Sequence, residues 1–538
     1  MASESYDYII AGGGTAGCIL ANRLTADPAI RVLMVEAGGS GRHLYSEIPL
    51  FIPYVIGNPR FDWMLKTEPE PNLGGRVVPL PRGKMLGGST GINGMVYVRG
   101  HRWDYDNWAA LGNTGWGWSD VLPYFMRSET WDGEAMQGRG GTGEWRIGDP
   151  GMRWPALDAY RGAATQVGIP ETPDYNSGDN TGVAYFQANI HGGRRQSTAK
   201  AFLHKIAKRP NLTVVTGATV DQITLDGHRA TGLLWHKDGE PHHATAKAEV
   251  LCCAGAYASP ALLERSGIGD PERLRSIGIT PLHALPGVGR NLQDHWQVRV
   301  QTRLSNTVTL NGRAGSLLGK ALMGLDYVTR RKGPLSAQPA LLAAFTKVME
   351  DAVAPDVQIH VSAASYDRVG GPMHPYPGIT SAVCILRPTS RGHAHARSSD
   401  PEAPPEILHN YLDTDYDRQI AVKCVELVRR ITGAPAMAHL SPQEVAPGAE
   451  VQGHDALLDY ARRSIATTFH PVGTCAMGTG TDAVVAPDLR VHGIGGLRVV
   501  DASVMPVIPS GNTAAPTVMI AEKAADMIRA AQRDTVAA

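Results

Sequence analysis

Gly12, Gly14 and Gly17 lie between a short apolar run, residues 6–11, and a helix-like stretch, residues 16–24. Glycines at this spacing let a turn come close to a pyrophosphate, which then rests on the amide groups at the start of the helix. Glu36 closes the next apolar run about 20 residues on, where a carboxylate can accept hydrogen bonds from ribose hydroxyls. Strand, glycine turn, helix, strand and acid together read as a dinucleotide-binding βαβ unit, but the unit alone does not separate NAD from FAD. A second glycine tract, residues 81–93 (PRGKMLGGSTGIN), is too long for a simple turn. Its small residues let backbone N–H groups approach a large planar ligand, so it implies a long cofactor held at both ends.

The elements that must position these residues follow from local pattern. Residues 53–100 are rich in Gly and Pro and predict extended segments and ordered loops, with a helix at 103–111. Strand patterns occur at 212–216, 220–225, 230–236 and 250–254, and 259–266 reads as a helix. From 296 to 466 strands such as 356–362 and 380–387 mix with helices such as 415–432, which predicts a second, sheet-containing domain. The last stretch returns to the first style, with a strand at 497–501 and a helix at 517–531.

At 538 residues the chain exceeds what one hydrophobic core serves, which predicts two structural domains. Fifty-one basic residues balance 51 acidic ones, so no global field gathers nucleic acid or anionic lipid, and no nucleic-acid partner is expected. Cys18, Cys252, Cys253, Cys384, Cys424 and Cys475 show no CxxC spacing, which argues against a disulfide framework or a zinc site and for a reducing compartment. No basic leader opens the sequence, and no apolar stretch approaches the roughly 20 residues that span a bilayer. A cytoplasmic protein without a transmembrane segment is expected, any membrane attachment being peripheral. His242, His243, His393 and His395 lack a matching Cys or carboxylate pattern, so no metal site is expected. His454 and His492 read as surface or packing residues, His295 as ordering its turn, and Trp63, Tyr97 and Trp103 as core, with pocket lining as the alternative.

Several segments resemble the glucose–methanol–choline (GMC) family of flavoprotein oxidoreductases. Residues 83–106 are similar to the first family signature and 255–269 to the second, and 287–295, 470–475 and 497–516 also resemble family patterns. The likeness runs end to end and is weakest between 301 and 466. It implies an α/β fold: a Rossmann-like FAD-binding domain from residues 1–157, 195–300 and 466–538, with an inserted α+β substrate-binding domain from 158–194 and 301–465. By this resemblance Gly12, Gly14, Gly17 and Glu36 would hold the adenosine diphosphate half of FAD, and Gly87, Gly88, Ser89 and Asn93 would lie along the pyrophosphate and flavin. Thr15, Ala16, Ala37, Arg82, Gly94, Met95 and Val96 would complete these contacts, with Val220 beside the adenine. Asp501 and Ala502 would reach the ribityl chain, although Asp501 could equally cap the helix that follows, and Asn512 and Thr513 would border the flavin pyrimidine. Ile92 stands where some members carry a flavin-linked histidine, so the FAD is expected to be non-covalent and dissociable.

Alcohol oxidation needs a base near the hydroxyl proton, support for the developing alkoxide and a hydride acceptor. The resemblance gives the first two roles to His470 and Asn512, with hydride transfer to flavin N5. A histidine of pKa about 6.5 facing a hydroxyl as weakly acidic as water, about 15.7, meets a gap of roughly nine units, or about 12 kcal/mol. Proton removal must therefore be coupled to hydride departure, or Asn512, the imidazolium and a dry pocket must stabilise the alkoxide. The overall pattern resembles the choline dehydrogenase and alkyl or aryl alcohol dehydrogenase branch of the family more than the sugar oxidases, which implies a primary alcohol oxidised to the aldehyde, with oxygen or a quinone or protein carrier as electron acceptor. The competing functions are a hydroxynitrile lyase of the same fold, a nicotinamide dehydrogenase and a non-catalytic flavin-binding protein.

Overall fold

In the computed structural model, which describes residues 4–367 and 371–537, the strand Glu4–Ala11 (β1) lies inside a seven-stranded sheet. One edge of β1 pairs in parallel with Val32–Glu36 (β2), which pairs in parallel with Leu212–Thr216. The other edge pairs in parallel with the end of Glu240–Cys252, whose outer side takes Leu497–Val499 in parallel. Helix Thr15–Leu24 (α1) covers this sheet under the C-terminal helix Ala514–Ala537, and residues from Ala16 to Leu24 are buried nearly all round. Cover on both faces is why β1 and β2 read as continuous apolar runs.

Strand Glu240–Cys252 turns antiparallel onto Arg229–Lys237, which pairs with Ala218–Asp226. It begins well before the expected residue 250. Its first half carries Glu240, His242 and His243, exposed side chains that show no signature of a buried strand. Helix Arg102–Ala110 forms near its expected place, while Ala514–Ala537 extends beyond the expected 517–531 at both ends.

A second seven-stranded sheet runs in the order Gln443–Ala446, Trp296–Arg303, Gly378–Ile385, Val357–Ser362, Leu342–Thr346 and Gly182–Tyr185, with Ala466–Thr467 also on Trp296–Arg303. Its neighbours are antiparallel. Alternation then sorts the side chains by face. Trp296, Val298, Val300, Val357, Ile359 and Val361 join the core built with helices Pro155–Gln166 and Asp415–Thr432. Gln297, Arg299, His360, Ser362, Thr380 and Ala382 face a cavity between the two sheets. Strand register sets Arg299, Ala382 and His360 in one row, and Gln297, Cys384 and Gln358 in the next. No described helix is long and apolar enough to cross a membrane.

Candidate active site

The cavity holds about 640 Å³ and runs from Glu36 and Val220 at one end to His470 and Asn512 at the other. Two glycine turns form its narrow waist. Gly12 sits at φ +105°, and a Cβ there would lie 2.6 Å from the Cys253 carbonyl; one on Gly88, at φ +51°, would lie 2.9 Å from Gly14 Cα. Backbone therefore presses on backbone, and only glycine leaves room. Helix α1 starts at Gly14 with no side-chain cap, which leaves its first N–H groups for a ligand along the wall formed by Thr15 and Ala16. The Glu36 carboxylate accepts the Gly13 N–H at 2.9 Å and the Gly38 N–H at 2.8 Å, so it ties the first glycine turn to the loop that follows β2. Burial pushes this carboxyl up from its ordinary range against those two donors.

At the far end a chain of hydrogen bonds has a defined direction. His295 Nε2 lies 3.1 Å from the Leu386 carbonyl, which only accepts, so this nitrogen carries the proton. His295 Nδ1 must then accept, and its partner 3.1 Å away is His470 Nδ1, which must donate. Thr468 agrees with this assignment: its hydroxyl donates to the His295 carbonyl at 2.6 Å, leaving its oxygen to accept from His470 Nδ1 at 3.2 Å. His470 Nε2 is thus an unprotonated acceptor, and the Asn512 amide donates to it at 3.0 Å. Gln358 in turn donates to Asn512 Oδ1 at 3.3 Å.

Both rings are held neutral. Burial, with only partial relief from the Leu386 bond, pushes His295 down to about 3. Burial pushes His470 well below its usual value, helped by His295, His360 and Arg82 nearby. The backbone of His470 is fixed by Asp294, whose Oδ1 accepts the His470 N–H at 2.8 Å while Oδ2 takes hydroxyls from Tyr411 and Thr467. Phe469, just before the histidine, adopts φ 68° and donates its N–H to Thr467 Oγ1 at 2.6 Å. Arg82 donates to the Phe469 carbonyl at 2.7 Å and so joins the second glycine tract to the histidine loop.

Of the residues singled out in sequence, Gly12, Gly14, Thr15, Ala16, Glu36, Ala37 and Val220 line the end of the cavity around Glu36. Arg82, Gly88, Ser89, Asn93, Gly94, Met95 and Val96 line the middle, and Asp501, Ala502, His470, Asn512 and Thr513 the remainder. Gly17 and Gly87 lie behind the wall. A Cβ on Gly17 would meet the Gly12 carbonyl at 2.1 Å, and the Gly87 N–H donates to Gly13 O at 2.8 Å. Asp501 caps the short turn after it through Ser503 N and also accepts from Gly255 N and Ser259 Oγ.

His295 does more than order its turn, since it fixes the proton position on His470. Tyr97 is core, whereas Trp63 lines the cavity and Trp103 packs under the Arg387 guanidinium. His393 and His395 are each bonded to a carboxylate, Glu406 and Glu264. Sequence reading also passed over His360, Arg299 and Arg195. Arg195 is buried and clamps Ser46 O, Thr90 O and the Asn93 side chain.

Comparison with known proteins adds family evidence. The family model described as GMC oxidoreductase matches in two blocks, an N-terminal one over residues 6–297 and a C-terminal one over 388–521. An oxygen-dependent choline dehydrogenase from Photobacterium profundum is 38% identical over 530 residues, covering 98% of this chain and 93% of the relative. One of the same description from Vibrio vulnificus is 39% identical, covering 98% and 94%. Among solved structures, pyridoxine 4-oxidase from Mesorbium loti superposes with a TM-score of 0.87 at 31% identity, over 97% of this chain and 99% of that one.

Proposed function

The chain belongs to the GMC oxidoreductase family and is an FAD-dependent oxidoreductase acting on a CH–OH group, and we propose that it oxidises a primary alcohol to the aldehyde with His470 as general base. The observation that carries this reading is the unprotonated His470 Nε2 facing the cavity beside the Asn512 amide, at 3.0 Å. The glycine waist, the uncapped α1 and Glu36 suit the dinucleotide half of FAD, and the polar atoms left without partners at the far end, His360 Nε2 and Gln358 Oε1, suit a polar ligand there. When bound, the flavin supplies the acceptor for the hydride that leaves the carbinol carbon.

His470 Nε2 takes the hydroxyl proton. The charge that develops on the ring is met at Nδ1 by His295 Nδ1 and Thr468 Oγ1, both already placed as acceptors. Asn512 is within reach of the same oxygen and donates to it as negative charge grows. Asp294 and the Phe469 turn hold the base against the cavity wall. Ile92, buried beside Asn93, offers no nucleophile for a covalent bond, which supports a dissociable FAD. The six cysteines are free and buried, which supports a reducing, cytoplasmic setting, with oxygen or a quinone as final acceptor.

The test is anaerobic mixing of the FAD-loaded protein with alcohols, followed by flavin absorbance. His470→Ala is expected to keep its flavin and to lose about 100-fold or more of the reduction rate. Reduction at the parent rate removes the base assignment. Cyanohydrin cleavage with an unbleached flavin moves the reading to a lyase, and neither reaction leaves a flavin-binding protein without catalysis.

A further inference from the structure

The charges along the cavity wall are distributed unevenly. Its carboxylates, among the described residues, are Glu36, Glu402 and Asp501, and each is engaged by protein groups. Glu36 takes Gly13 N and Gly38 N, Glu402 pairs with His236 at 3.1 Å, and Asp501 takes Gly255 N and Ser259 Oγ. Of the arginines, Arg82 is tied to Phe469 O and Arg265 to Asp221 O and Val220 O. Arg299 differs: its guanidinium makes no hydrogen bond or ion pair among the described residues, although it is half-buried at the cavity wall.

The second sheet fixes where this charge stands. Arg299, Ala382 and His360 share one row across three strands, and the small Ala382 leaves open space between the two polar residues. The adjoining row contains Gln358, which bonds Asn512, so Arg299 sits one two-residue step, about 6–7 Å of strand, from the row that touches Asn512. His360 Nε2 is buried in that same row without a partner. Both residues fall between 297 and 388, a stretch that neither family model spans.

A cationic head group such as that of choline would need a carboxylate or an aromatic cage here, and it would instead meet an uncompensated arginine. Resting on the alcohol-oxidation reading, we propose that the substrate is a primary alcohol bearing a carboxylate about one ring's length from the carbinol, as in a hydroxymethyl-arene carboxylate, with Arg299 and His360 holding the carboxylate. Loss of a charge-assisted hydrogen bond corresponds to about 10- to 100-fold in kcat/KM.

FAD-loaded protein is mixed anaerobically with 4-(hydroxymethyl)benzoate, its methyl ester and choline, and kcat/KM for flavin reduction is compared. The acid is expected to exceed both by about tenfold or more. In Arg299→Glu that retains its flavin, the acid-to-choline ratio is expected to fall by at least as much. Equal reduction by ester or choline overturns the anion site while the alcohol reading stands. If no alcohol reduces the flavin, the alcohol reading fails, and a titration with unreactive benzoate and benzamide still decides the anion site. Benzoate that perturbs the flavin spectrum at lower concentration than benzamide supports the site, and equal affinities overturn it.

Discussion

Replacing His295 by Phe removes the acceptor opposite His470 Nδ1 while keeping a ring in a fully buried place. A neutral hydrogen bond contributes about 1 kcal/mol and one to a charged partner about 1.5–3, so the extra support lost when the imidazolium forms is about 0.5–2 kcal/mol. At 1.36 kcal/mol per tenfold this is about 2- to 30-fold in rate. Freed from His295, His470 can also carry its proton on Nε2, where it is no base, and equal tautomers cost roughly a further factor of two. The limiting rate of flavin reduction is therefore expected to fall by about 5- to 60-fold in anaerobic stopped-flow, with little change in the alcohol concentration at half saturation. Thr468 Oγ1, still 3.2 Å from Nδ1, sets the lower end. His295→Gln is expected to recover part of the rate, because an amide can accept from His470 and donate to Leu386 O at once. A reduction rate in His295→Phe equal to that of the parent, in protein that keeps its flavin and thermal midpoint, would refute the directional chain.

Glu36→Gln turns one acceptor oxygen into a donor against the Gly13 or Gly38 N–H, so purified protein is expected to carry less FAD, read as the ratio of flavin to protein absorbance. His360 is held down at about 4 by burial, whereas an unfolded histidine takes up a proton below about 6.5. The parent therefore loses stability as pH falls from 6.5 towards 4, and His360→Leu does not share that loss. By pH 5 the variant is expected to gain about 2 kcal/mol on the parent relative to pH 7, measured by urea unfolding at both values, and a constant gap would contradict a neutral His360.

Much of the fold was legible because its signals are local. The β1 turn, Glu36 and the run around Asn93 announce a dinucleotide site within short windows, and the helix Asp415–Thr432 shows its buried stripe directly. The first half of Glu240–Cys252 was not legible, because pairing with Arg229–Lys237 makes it a strand while its exposed histidines read as a loop. His295 was out of reach for a different reason: its meaning depends on a ring 175 positions away and on the Leu386 carbonyl. Arg299 and His360 become neighbours only through Ala382, on the strand between them, and no one-dimensional spacing encodes a sheet register.

The row of donors and acceptors behind His470 ends on a peptide carbonyl, a group that takes no proton at any ordinary pH. It is a blind alley. In the reaction proposed above, a proton that His470 takes from the alcohol would find no exit along this row and would go back by the mouth through which the alcohol came. On that proposal the ring would be emptied only after the product moves aside and water reaches it, which would tie recovery of the resting enzyme to product departure.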